Sequence, residues 1–175
     1  MARILILYST TDGHTLKICR RLQDLLRDDS HHVMVTALDD AGPVALEAFD
    51  KVVIGASIRY GKHDPGVADF VSRRQTSLEN RPNAFFSVSA VARKPGRDQP
   101  DTNPYLRKFL KNITWRPKRL AVFAGKIDYP KYGAVDRTII RLIMWITKGP
   151  TDPTSVVEFT DWERVAAFAR EISEM

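Results

Sequence analysis

Ser9-Thr10-Thr11-Asp12-Gly13-His14-Thr15 stands between an apolar run, Ile4-Leu5-Ile6-Leu7-Tyr8, and a segment whose apolar members recur at helical spacing: Leu16, Ile18, Cys19, Leu22, Leu25 and Leu26. A buried strand therefore feeds a hydroxyl-rich turn, and the turn opens a helix. Such a turn aims several backbone N–H groups and hydroxyls at one phosphate, and the positive end of the helix dipole favours the dianion. Gly13 lets the backbone approach a ligand with no side chain in the way. An ordinary N-cap needs a single Ser, Thr or Asp. The additional hydroxyls of Thr10, Thr11 and Thr15 exceed that need and favour a phosphate site.

The spacing matches neither G-x-x-x-x-G-K-S/T nor G-x-G-x-x-G, so neither nucleoside triphosphate hydrolysis nor a dinucleotide fold is indicated. It resembles instead the FMN phosphate loop of flavodoxins, Ser/Thr-x-Thr-Gly-x-Thr. Thr10-Thr11-Asp12-Gly13-His14-Thr15 follows that pattern except at Asp12, where flavodoxins have threonine. A carboxylate beside a phosphate is unfavourable, so Asp12 is expected to turn its side chain away and offer its backbone N–H.

At 175 residues the chain suits one domain, 1–175, with a substantial core. Lys plus Arg number 27 against 21 Asp plus Glu, a net +6 that calls for an anionic partner. The one cysteine, Cys19, excludes an intramolecular disulfide and any multi-cysteine metal site, and its apolar neighbours mark it as core. No metal site is expected. Residues 1–8 form a strand at once, so no signal peptide is expected. No run is long enough to span a bilayer, which points to the cytoplasm or a membrane surface.

Further strands are expected over Val33–Leu38, Lys51–Ala56, Ala84–Val88 and Leu120–Ala124, with helices over Ala68–Leu78 and Tyr105–Leu110. Asp161 caps a last helix reaching Ile172, whose apolar face is Val165, Phe168, Ala169 and Ile172. Alternating strands and helices predict an α/β fold: a flavodoxin-like, doubly wound, five-stranded parallel sheet with helices on both faces. Ligands of such sheets lie beyond the carboxyl ends of the strands. That rule selects the loop after Tyr8 and two others. Ala56-Ser57-Ile58-Arg59-Tyr60-Gly61 offers an aromatic for a flat ring and an Arg for a carboxylate. Ser87-Val88-Ser89-Ala90-Val91-Ala92 is small enough to approach a ring edge, and Arg93, Lys94 and Arg97 follow it. In flavodoxins the corresponding loops flank the flavin, so the resemblance makes all three stretches cofactor-binding.

Two segments add a basic and apolar insertion around the fifth strand. Basic residues interleave with aromatics from Arg93 to Tyr132, but no nucleic-acid motif accompanies them, and a solvated rim is the better reading. Val135–Lys148 is apolar, carries Trp145, and sets Arg137 and Arg141 one turn apart. It fits a helix lying in the headgroup plane of an anionic membrane, or one covering the sheet.

Together these segments resemble the flavodoxin-like, menaquinone-dependent protoporphyrinogen IX dehydrogenase (quinone) family of bacterial haem synthesis. The resemblance is carried by Ser9–Thr15, Val53–Gly61, Val91–Pro95, Thr102-Asn103, Arg107–Leu110, Trp115–Pro117, Asp136-Arg137, Leu142–Met144 and Phe159-Thr160-Asp161-Trp162-Glu163. It implies FMN-dependent oxidation of protoporphyrinogen IX to protoporphyrin IX, with electrons passed to menaquinone or another quinone at the cytoplasmic face of the inner membrane. It makes Arg59, Arg93, Lys94 and Arg97 candidates for the substrate's propionates, and Arg137 and Arg141 candidates for lipid. Nucleic acid is not an expected partner, and homo-oligomerisation is left open. No general base is evident. His63 is a weak candidate for proton transfer and reads better as a solvent-facing loop histidine. An electron-carrier flavodoxin or a flavodoxin-like NAD(P)H:quinone reductase would share the three loops.

Overall fold

Alternation along β1 (Arg3–Ser9) sends Ile4 and Ile6 to one face and Leu5 and Leu7 to the other, and all four are fully buried. A strand apolar on both faces needs a cover on each. The computed structural model, which describes residues 1–175, supplies both. After β1 come α1 (His14–Asp28), β2 (His32–Ala37), β3 (Lys51–Arg59), β4 (Lys62–His63), α2 (Pro65–Arg73), α3 (Gln75–Glu79) and β5 (Asn83–Ser89). Then follow α4 (Pro104–Lys111), β6 (Arg119–Ala124), β7 (Lys126–Asp128), α5 (Ala134–Ile146), β8 (Val156–Glu158) and α6 (Trp162–Glu174). Five strands run parallel in the order β2-β1-β3-β5-β6. Ile18 and Leu22 of α1 and Phe168 and Ile172 of α6 pack on the Ile4 face. Val67, Phe70, Leu78 and Leu106 from α2, α3 and α4 pack on the Leu5 face.

The expected parallel strands are all present. The helix expected over Ala68–Leu78 is two, interrupted at Arg74. The first begins earlier, at Pro65, because Asp64 caps it by accepting from the Gly66 N–H at 2.8 Å. Gly55 faces Phe86 across β3 and β5, and any side chain there would overlap the Phe86 ring. Lys51, buried at the start of β3, donates from Nζ to the carbonyls of Ile172 and Ser173 at 3.0 and 2.7 Å. A cation there satisfies the carbonyls at the end of α6 and suits the helix dipole.

β3 runs past its expected end at Ala56 to Arg59, turns at Tyr60-Gly61, and returns as the antiparallel β4. Both turn residues have positive φ, 50° and 77°, the geometry of a two-residue hairpin whose twist matches its strands. The sheet thus gains a sixth strand. The hairpin also corrects the reading of His63, which is 7% exposed rather than facing solvent. Its ring lies against Phe109 and Phe85, and Nε2 is 2.9 Å from Ser87 Oγ.

Burial pushes the His63 imidazole down to about 4. The unfolded chain therefore binds a proton that the folded chain refuses between about pH 6.5 and 4, so stability falls as pH falls through that window. His63 is expected to remove up to about 3 kcal/mol of unfolding free energy between pH 7 and 4. Urea titrations across that range check this: His63→Asn should flatten the acid limb by that amount, and an unchanged limb would contradict the assignment.

Candidate functional site

The sheet reverses its winding direction between β1 and β3, so the loops after those strands diverge and open a cleft. The cleft is open to solvent and holds about 140 Å³ of space reachable by water. Of the expected residues, Thr10, Thr11, Asp12, His14 and Thr15 line it from the first loop, and Ser57, Ile58, Arg59, Tyr60 and Gly61 from the second. Val88, Ser89, Ala90, Val91 and Arg93 line it from the third.

The first loop is built for an anion. α1 begins at Gly13, in the left-handed region with φ 82°, and no side chain caps the helix. An ordinary cap is thereby excluded, and the positive end of the helix dipole is left for another partner. Thr10 Oγ1 holds the turn by accepting from the Gly13 N–H at 3.0 Å. Thr15 is fully buried, and its hydroxyl has no hydrogen-bond partner within the chain. A buried hydroxyl without a partner is costly; a phosphate on this loop supplies one. Asp12 turns away as expected, its carboxylate accepting from Arg59 Nη1 at 2.9 Å.

The second loop is fastened to the start of α5. Arg59 also donates from Nη2 to Asp136 at 2.8 Å, and the Tyr60 hydroxyl donates to the same carboxylate. Burial opposes the charge of Arg59, but Asp12 and Asp136 outweigh it and raise its pKa. The hydrogen bond from Tyr60 holds the Asp136 carboxyl below its ordinary value. The Arg59 guanidinium also lies 5.3 Å from the Tyr132 ring centroid. Arg59 thus meets carboxylates of its own chain.

The third loop presents Ser89, whose hydroxyl is buried and unpartnered like that of Thr15. Arg93 is turned into the chain: Nη1 donates to the Ala90 carbonyl at 2.7 Å, and Nη2 to the Thr147 carbonyl and hydroxyl at 3.1 Å. Burial lowers its pKa, since none of these partners carries a charge. His14 and Thr160 tie the first loop to the chain's end: Nε2 is 2.6 Å from Thr160 Oγ1, which itself donates to the Ala124 carbonyl. With the hydroxyl's proton so used, the imidazole is the donor of this pair.

Other expected residues do not reach the cleft. Strand alternation turns Ala56 into the apolar core and Ser87 onto His63, and Ala92 is buried on the Leu5 side. Ser9 and Gly13 belong to the loop but do not line the cleft, and neither do Lys94 and Arg97. Arg137 donates to the Tyr132 carbonyl and Arg141 to the Thr151 carbonyl, both outside the lining. Sequence reasoning missed Tyr105, Gly125, Lys126, Ile127, Tyr132, Ile140, Ile143, Met144 and Thr147, which complete the wall. Among the signals that were present, only the apolar character of Val135–Lys148 pointed to any of them.

α5 closes the cleft without covering the sheet. It buries only Ile140 and Met144, against Ile127, Tyr129 and Tyr132 on and after β7, which pairs antiparallel with β8. Val135, Leu142, Trp145 and Ile146 are exposed, Trp145 by 73%. No helix is long and apolar enough to cross a membrane.

A doubly wound parallel sheet with a hydroxyl-rich, uncapped helix start at its switch point defines a flavodoxin-like protein. The family model of the flavodoxin domain matches residues 5–154. The crystal structure of oxidised flavodoxin 1 from Bacillus cereus superposes with a TM-score of 0.56 at 14% identity, covering 98% of this chain and 97% of that one. An Escherichia coli (strain K12) protein named protoporphyrinogen IX dehydrogenase (quinone) is 46% identical over 173 residues, 99% of this chain and 96% of that one. A Leishmania major protein of the same name is 39% identical over 174 residues, 99% of this chain and 75% of that one. The chain belongs to the protoporphyrinogen IX dehydrogenase (quinone) family of flavodoxin-domain proteins.

The unpartnered hydroxyl yields a prediction. Thr15→Val removes it while keeping the side chain's shape, so the FMN-free protein should be unchanged or slightly more stable. Affinity for FMN should fall about tenfold, the loss of one hydrogen bond of about 1.4 kcal/mol to a charged group. Flavin fluorescence titration beside thermal unfolding checks both, and unchanged FMN affinity would remove Thr15 from the phosphate site.

Proposed function

We propose that the chain works as one flavodoxin-like unit that oxidises protoporphyrinogen IX to protoporphyrin IX with FMN and passes the electrons to a membrane quinone, chiefly menaquinone. The observation that carries this reading is the 46% identity to an enzyme of that name over 99% of this chain, a span that includes α5 and the basic loops as well as the flavodoxin core. FMN, when bound, supplies the chemistry by accepting electrons in pairs from the porphyrinogen and yielding them to the quinone.

The protein's part is to hold and to orient. Thr10, Thr11 and Thr15 and the start of α1 hold the phosphate, while Ser57–Gly61 and Ser89–Val91 border the ring. Arg59 keeps the carboxylate of Asp12 off the phosphate and pins Tyr60, whose left-handed backbone is strained for a tyrosine. Lys94 and Arg97, with no ion-pair partner in the chain, are the cations left to meet propionates, Arg93 being bound inward. No side chain is assigned as general base. Anaerobic addition of protoporphyrinogen IX to the FMN-loaded protein should bleach the flavin band, and a menaquinone analogue should restore it. A flavin that ignores the porphyrinogen but is reduced by NADPH would move the protein to the quinone reductases.

The quinone lives in lipid, and α5 supports a peripheral seat on the cytoplasmic face of the inner membrane. Its exposed Leu142, Trp145 and Ile146 are flanked by Lys131, Arg141 and Lys148. Ile140, Ile143 and Met144 of the same helix line the cleft, so a quinone leaving the headgroup plane meets an apolar wall. Arg137 is the less suitable lipid contact, because its side chain is half-buried and its Nη2 is spent on Tyr132. Arg141→Glu with Lys148→Glu should release the protein from phosphatidylglycerol vesicles in a sedimentation assay; undiminished binding would sink the lipid reading.

A further inference from the structure

We propose that Arg93 sets the reduction potential of the bound flavin by keeping a fixed, uncompensated positive charge beside the hydrogen-bonding edge of the ring. This rests on the FMN reading above. The isoalloxazine ring has one hydrogen-bonding edge, the pyrimidine, and one apolar edge. With the phosphate at α1, the cleft offers these edges different walls: Ile140, Ile143 and Met144 on α5, and the Ser89–Val91 loop with its unpartnered, buried hydroxyl. A buried hydroxyl needs a hydrogen-bonding partner and a dimethylbenzene edge cannot be one. The pyrimidine edge belongs at Ser89.

Arg93 lies directly under that loop. Four charged side chains line the cleft: Asp12, Arg59, Arg93 and Lys126. Arg59 is matched by Asp12 and Asp136, and Lys126 lies 3.0 Å from Asp128. Arg93 has no carboxylate within 4 Å; its hydrogen bonds go to Ala90 and Thr147, and its guanidinium lies 5.6 Å from the Phe159 ring centroid. The chain leaves room for it at Gly149, where a Cβ would come 2.7 Å from Nη2. The charge is thus held in place, half-buried, by partners that do not neutralise it.

Such a charge discriminates between redox states. Each transfer takes two electrons and two protons from the porphyrinogen; two electrons and one proton reach the ring, and the other proton passes to solvent. The ring then carries one more negative charge than before. A cation at the pyrimidine edge stabilises the reduced form over the oxidised form and makes the flavin a better acceptor for porphyrinogen electrons.

Spectroelectrochemical titration of the FMN-loaded protein, with dissociation constants for oxidised and reduced FMN, tests the assignment. Arg93→Gln should weaken reduced FMN about tenfold relative to oxidised FMN, a drop in midpoint potential of about 30 mV for a two-electron couple. Thr147→Asp keeps Arg93 and its bond to Ala90 but sets a carboxylate against Nη2, so it should lower the potential similarly. It carries the test even where Arg93→Gln fails to fold. Arg93→Lys should keep the wild-type potential within a threefold change in that ratio. A wild-type potential in Thr147→Asp, or in a folded Arg93→Gln, would overturn the proposal. So would equal weakening of both redox forms, the mark of a purely structural arginine. Absence of FMN binding by the wild-type protein would overturn the cofactor reading itself, and this inference with it.

Discussion

Arg59 is the fastener on which the shape of the cleft depends. One guanidinium, at the end of β3, meets Asp12 from the first loop and Asp136 from α5, residues 47 and 77 positions away in the chain. Bridging two carboxylates costs desolvation, and the shift in its pKa says that the carboxylates prevail. The bridge neutralises the one acidic residue of the hydroxyl-rich turn. It also joins the end of the central strand to a helix that otherwise rests on a small two-stranded ribbon. The strained backbone of Tyr60 is held by the same carboxylate that anchors the bridge.

α5 shows what the rest of the fold leaves unsolved. The sheet faces are already filled by α1 and α6 on one side and α2, α3 and α4 on the other. An apolar helix arriving late in the chain finds no sheet to cover, buries two residues against the ribbon, and turns the remainder outward. A patch of this kind marks an interaction surface. Its position at the lip of the cleft, which Ile140, Ile143 and Met144 line, links that surface to the cleft.

Legibility followed the range of the interactions. β1, β3 and β5 were readable because each is an apolar run buried on both faces, β2 and β6 as apolar runs of strand length, and α6 because Asp161 caps it within its own first turn. The hydroxyl-rich turn was readable for the same reason: its residues are contiguous. The break at Arg74, the β3–β4 hairpin and the burial of His63 were missed. Ser57-Ile58-Arg59 resembles a loop until its pairing with Lys62-His63 is known, and His63 is buried by Phe109 and Phe85 from elsewhere in the chain. The cleft's far wall was illegible too, since Tyr105, Lys126, Tyr132 and Thr147 come from four separate segments and none sits in a recognisable motif.

By itself the sequence determined the fold class, the hydroxyl-rich turn that starts the first helix, and the basic, apolar character of the late segment. Each depends on spacing within a few turns of chain, where periodicity and backbone polarity act directly. Tertiary structure alone decided which cations are spent and which remain. In the sequence Arg59, Arg93 and Lys126 are simply three cations. Two find carboxylates and one finds carbonyl and hydroxyl oxygens, because a charge is compensated by whatever the fold brings within a few ångströms: Arg59 reaches Asp12 and Asp136, 47 and 77 residues away, and Arg93 reaches Thr147, 54 residues away, whereas Lys126 pairs with Asp128 close by in the chain.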